Sequence, residues 1–182
     1  MRIIKNVIAS IKGAFKSLSF IFKRRCSMDS GARVFSGASL SVGKKASAQI
    51  GKKFKMDSGA VISVLFNGKL TLGNNVAIGR NNMIVCHDEI RIGDGTILAP
   101  NVFIYDHDHV FDAESGVDRK KYKTAPIVIG KNCWIGANTV VLKGTVIGDN
   151  CVIGAGSVVK GVYNSGSVII QKRETVVKEV SR

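Results

Sequence analysis

The chain has 182 residues, 45% of them hydrophobic, with 20 Gly, 2 Pro and a formal charge of +14. That length suits one domain, and the absence of any run of roughly 18 or more apolar residues means that no transmembrane helix is indicated. The charge comes with no helix-turn-helix, zinc or RNA-binding signature, so nucleic acid is not an expected partner.

Residues 1–25 carry seven basic residues and no acid. Ile4, Val7, Ile8, Ile11, Phe15, Leu18 and Phe22 recur at three- and four-residue steps. That spacing predicts a basic amphipathic helix. Lys5, Lys12, Lys16 and Lys23 interrupt any signal-peptide core. Two roles stay open for the segment. Either it packs on the rest of the protein, or its apolar face meets an anionic membrane surface while its lysines meet headgroups.

Residues 26–182 form the second unit. From 26 to 71 the pattern is loose, with "SMDSGA" at Ser27 returning as "KMDSGA" at Lys55. Irregular early coils are expected there, since terminal repeats are often atypical. From Leu72 the pattern tightens. Leu72, Ile78, Ile84, then Ile92, Leu98, Ile104, then Ile129, Ile135, Val141, Ile147, Ile153 and Val159 step by six within each block. The following residue is often glycine, which gives the chain room to turn a corner. The fifth position of the unit is small or β-branched, as at Val76, Thr96, Val102, Cys133, Thr139, Thr145, Cys151 and Ser157. Six residues are too few for a helical pair but fit one short strand and one turn. Three units make a triangular coil. Coils stacked through strand ladders about 4.8 Å apart give an all-β parallel β-helix filled by a column of aliphatic side chains.

The phase breaks over 105–128, a stretch rich in Asp, Lys and Arg that reads as a loop extruded from a corner. After Val159 the repeat is lost, and 160–182 is expected to form a short cap over the open end. The four cysteines, Cys26, Cys86, Cys133 and Cys151, show no CxxC pair or zinc-ligand spacing. Cys133 and Cys151, at the fifth position of their units, read as small core residues, and the cysteine usage fits a reducing, cytoplasmic compartment.

The loop opens with "YDHDHVF" and holds two of the three histidines, His107 and His109; the third is His87. Nothing in the spacing completes a metal site, so no metal is expected. A histidine at a loop mouth beside carboxylates suits a general base.

The phased run resembles the hexapeptide-repeat acyltransferases. Within them, "LAPNVFIY" from Leu98 and "PIVIGKNCWIGANTVVLKGTVIGDNCVIGAGSVV" from Pro126 are similar to the galactoside and maltose O-acetyltransferases. "DHDH" is similar to sugar and polysaccharide O-acetyltransferases of the same superfamily. The resemblance implies a left-handed β-helix, a homotrimer and acetyl-CoA as cosubstrate. It implies O-acetylation of a sugar, in a cell-surface polysaccharide or its lipid-linked precursor, which places the enzyme in the cytoplasm or at the inner membrane face. The family's catalytic histidine matches His109, with His107 the fallback. Coenzyme contacts map to Trp134, Gly136, Ala137, Gly154, Ala155 and Lys160. The family's usual tail is replaced here by Gln171, Lys172, Arg173 and Glu174, so Lys172 and Arg173 become the phosphate partners. Acceptor contacts map to Asn81, Asn82, His87, Asp88 and Asp106. Two alternatives stay open: a small free acceptor such as a free sugar, serine or an antibiotic, and a non-catalytic β-helix scaffold.

Overall fold

The computed structural model describes residues 25–172 and 174–178. The expected N-terminal helix therefore lies outside the described residues, except for Arg25. Everything regular in the rest is strand. Two sheets of seven parallel strands and one of six wrap the chain into a parallel β-helix. It has six complete coils and two strands of a seventh. Coil 1 runs through Cys26–Met28 on the first face, Arg33–Val34 on the second and Ser39–Val42 on the third. We call these faces A, B and C.

All twelve phased aliphatic residues are buried, and so are the eight small residues at the fifth positions. Inward side chains stack on their counterparts one coil away, as Ile90 does between Leu70 and Ile127. The fifth position is small because the chain bends there, and it is often a donor because corner carbonyls point inward. The Thr96 hydroxyl donates to the Gly130 carbonyl at 2.8 Å and accepts from the Cys133 amide at 3.1 Å. The Cys133 and Cys151 thiols contact the carbonyls of Gly148 and Asn164 at 3.1 and 3.2 Å. Buried carbonyls thus find partners, as the cost of orphaned polar groups demands.

The glycines divide into two kinds. Gly93 follows an inward isoleucine and has no left-handed φ, but a Cβ there would lie 2.7 Å from the Gly130 carbonyl carbon of the next coil. It is glycine so that backbones can approach. The turn itself is made two residues later, at Gly95, with φ 70°. Asn75, Asn81, Asn101, Asn132, Asn138 and Asn150 take that role elsewhere, since Asn tolerates the left-handed region.

Two expectations are revised. Residues 26–71 are regular coils. Partners such as Ser41 and Ser63 lie 22 residues apart, against 18 for Asn132 and Asn150. Early strands on faces A and C have four residues, as in Ser47–Ile50 and Val61–Val64. Two extra residues preserve the in–out alternation, so the core pattern survives while the six-residue phase does not. The tail also continues the helix before it caps it. Val162–Tyr163 and Val168–Ile169 pair with the coil below. Only then does the Gln171 side chain close the edge of face C, its amide donating to the Val158 carbonyl at 2.6 Å and its oxygen accepting from the Val158 amide at 2.9 Å.

Candidate active site

The corner between faces C and A carries the chemistry. In successive coils it holds Phe66, then His87 and Asp88, then Asp106, where the chain leaves as a hairpin. The outgoing strand is His107–Asp112 and the returning strand Gly116–Thr124. The expected loop is therefore a two-stranded antiparallel ribbon, re-entering the helix where the Ala125 amide donates to the Asp106 carbonyl at 2.9 Å. Lys143, one coil on, pins its base by an ion pair with Asp108 at 3.0 Å.

Asp106 organises this corner. Its carboxylate has 0% exposure and accepts from the His87 amide at 2.9 Å, the Asp88 amide at 2.8 Å and the His107 ring Nδ1 at 3.1 Å. Proposed by sequence as an acceptor contact, it is instead turned into the protein, tying two coils to the start of the hairpin. The Nδ1–H of His107 donates to the carboxylate, which leaves Nε2 unprotonated when the ring is neutral.

His107 lies flat on His87, with ring centroids 3.5 Å apart and planes 9° from parallel. Phe66 and Tyr122 meet His87 edge-on at 4.7 and 4.6 Å. His87 is 8% exposed, and its Nδ1 has no hydrogen-bond partner. Burial pushes its pKa down to about 4, helped by the neighbouring His107 and opposed by Asp106. It is neutral at pH 7.

His109 stands exposed two residues further out, its ring tilted against Tyr122 at 4.6 Å. Its Nδ1 lies 3.2 Å from the Asp118 carbonyl, which can only accept, so Nδ1 carries the proton and Nε2 is the unprotonated nitrogen of the neutral ring. The contact depends on a bulge. His109 pairs with Tyr122 and Val110 with Asp118, so Arg119, Lys120 and Lys121 are looped out of the ladder. The Asp118 carboxylate holds that loop by accepting from the amides of Lys120 at 2.8 Å and Lys121 at 3.2 Å. These bonds draw its pKa down. Bulges beside active sites commonly re-aim a side chain in this way. Asp118, Tyr122 and Phe66 are absent from the sequence assignment. A lone aromatic in "RKKYKT" is the signal that could have exposed Tyr122.

The remaining assigned residues sit elsewhere. Asn81 and Asn82 occupy the corner between faces B and C. The Asn82 side chain points inward and accepts from the Val102 amide at 2.7 Å. Gly136, Ala137, Gly154 and Ala155 share that same edge in coils 5 and 6. Gly136 is small for stacking, since a Cβ would meet the Ala155 nitrogen at 2.6 Å. Ala137 and Ala155 are the small residues open to solvent there, and the exposed Trp134 precedes them on face B. Lys160 stands on the histidine edge instead, Lys172 is exposed beyond the last strand, and Arg173 lies outside the described residues. Within one chain, face C separates the histidines from the alanine edge.

Among the described residues, no cluster of His, Cys, Asp or Glu could hold a metal, and no helix is long and apolar enough to cross a membrane. Burial and the nearby Asp106 raise the pKa of the Cys86 thiol, so it is no nucleophile.

Residues 126–161 match the family described as bacterial transferase hexapeptide (six repeats). The chain is 30% identical to Escherichia coli K12 WbbJ, whose name assigns it to O-acetyl transfer in lipopolysaccharide biosynthesis, over 73% of this chain and 72% of that one. The chain belongs to the hexapeptide-repeat acyltransferase family. Galactoside O-acetyltransferase of Escherichia coli K12 is 42% identical over 40% of this chain and 38% of its own. The chain spans only 37% of a Mycobacterium tuberculosis relative named as an acetyltransferase, at 36% identity over 61% of this chain. A Bacillus cereus N-acyltransferase solved with dTDP and coenzyme A shares the hexapeptide fold, with a TM-score of 0.68 at 20% identity over 85% of this chain and 82% of that one.

Proposed function

We propose that this protein transfers an acetyl group from acetyl-CoA to a sugar hydroxyl, with His109 as general base, in sites formed between the prisms of a homotrimer. The observation that carries the reading is the exposed His109 ring, held through Nδ1 by the Asp118 carbonyl so that Nε2 is left as the basic nitrogen. O-acetyl transfer is what the names of WbbJ and galactoside O-acetyltransferase describe, and the first favours a cell-surface polysaccharide or its precursor as acceptor.

When bound, acetyl-CoA supplies an activated acyl carbonyl. Trp134, Ala137 and Ala155 suit its pantetheine arm, because side chains as short as the alanine methyls let a chain of amides approach the backbone. A hydroxyl is a weak nucleophile near neutral pH. His109 Nε2 takes its proton during attack, a contribution of typically about 10²–10⁴-fold. The proton then has a route to the leaving thiolate. His107 cannot share this task equally, since its ring is packed between His87 and Tyr122 and its side chain is only 13% exposed.

Assembly follows from the edges. Base and alanine edge lie on opposite sides of face C, and the outward row on that face, Met83, Phe103, Val140 and Val158, is apolar. A neighbouring prism set against it would supply the missing edge.

A second reading makes His107 the base, because Asp106 orients it as a carboxylate orients a catalytic imidazole. Thiol release from acetyl-CoA with a sugar acceptor separates the two. His109→Ala is expected to lower kcat by at least about 100-fold with little change in acetyl-CoA affinity, and His107→Ala to cost less. The reverse order would move the base to His107, and full activity in both variants would end the mechanism.

A further inference from the structure

At the N-terminal end, far in sequence from the hairpin, faces A and B meet around a concavity of about 330 Å³. Its walls include Gly31, Arg33, Lys53, Lys55, Asn75 and Ala77, and no carboxylate lines it. Arg33 and Lys55 are register partners on adjacent strands of face B, so their side chains leave the same surface one coil apart. Lys53 joins them from the corner. Lys55 is paired with Asp57 at 3.0 Å, but neither Arg33 nor Lys53 has an ion pair among the described residues.

Lys53 is also conformationally out of place. Its φ is 56°, and the equivalent turn position on this edge is Gly31, Asn75, Gly95, Asn132, Asn150 or Gly166 in the other coils. Among the described residues only Lys53 and Phe66 are neither Gly nor Asn at positive φ, and Phe66 packs on His87. A side chain kept where Asn would be less strained points to a use for that side chain. Arg33 and Lys53, brought together without a counter-charge of their own beside the Asp57-paired Lys55, repel one another until an anion neutralises them.

We propose that this concavity is a binding site for a phosphate or pyrophosphate group, separate from the proposed coenzyme edge. Arg33 presents a planar fork matched to phosphate oxygens, while Lys53 and Lys55 act as point charges. The phosphate site stands without the acyltransfer reading.

Calorimetric titration of the full-length protein with inorganic pyrophosphate tests the site. The Arg33→Gln/Lys53→Asn double variant is expected to bind at least about tenfold more weakly. It should not melt earlier than the wild type, because Asn suits the left-handed φ better than Lys. Lys44→Gln/Lys45→Gln removes the same charge outside the concavity and is expected to bind as the wild type does. Coenzyme A should not displace the pyrophosphate. Equal weakening in both variants, or no wild-type binding, would overturn the site. Displacement by coenzyme A would overturn its separateness from the coenzyme edge. Thiol release with a free sugar, measured on the same double variant, reports on acyl transfer separately.

Discussion

His87 makes the corner's stability depend on pH in a definite direction. Its folded pKa of about 4 lies below the ordinary 6.5, so the unfolded chain binds a proton more readily. The stabilisation is complete above pH 6.5 and is lost as pH falls from there toward 4. Thermal melts between pH 7 and 4.5 should therefore show a falling Tm, and His87→Gln should flatten the slope. An unchanged slope would mean that the imidazole is not held neutral. The histidine proposed as base was picked out in the sequence from "DHDH" and its distance from Asn101. What surrounds it was not, because Tyr122 reaches the histidines from the returning strand and Phe66 from the coil before. Asp106 was legible as a member of the site but not in its part, since sequence does not tell an inward carboxylate from an outward one. Only the fold puts it within reach of two backbone amides and an imidazole.

At the scale of elements, the stacked corners set the tolerance to change. In Gly93→Ala the new methyl would meet the Gly130 carbonyl carbon at 2.7 Å, and backbone cannot move aside as a side chain can. The expected cost is roughly 1–3 kcal/mol, as for other overpacked cores. Gly116→Ala at the hairpin turn meets nothing within 4 Å and should cost about 1 kcal/mol for its φ of 76° alone. Equal Tm losses in the two variants would contradict the close-approach account. The late coils were legible because two-residue strands joined by four-residue corners repeat every six residues. The early coils were hidden by four-residue strands on two faces, which change the period from 18 to 22 without changing which residues point inward. The hairpin was missed as strand for a different reason. Both of its faces are solvated, so it carries charged residues where a core strand alternates, as in Asp118–Lys123.

At the scale of the molecule, one prism holds the proposed base and the proposed coenzyme edge on opposite sides of one face. The histidines stand on the C–A edge and Ala137 and Ala155 on the B–C edge, with the width of face C between them. In the proposed trimer one chain's base would stand against the next chain's coenzyme edge, and that juxtaposition is the central claim. Mixed trimers test it. His109→Ala lacks the base, and Ala155→Trp blocks the exposed coenzyme edge without entering the core. Each variant alone should be inactive. Co-assembled in equal amounts, they restore an intact interface wherever the base comes from the Ala155→Trp chain and the coenzyme edge from the His109→Ala chain, giving about a quarter of wild-type thiol release by random assortment. If the co-assembled protein is no more active than either variant alone, base and coenzyme are served by the same chain and the account is wrong.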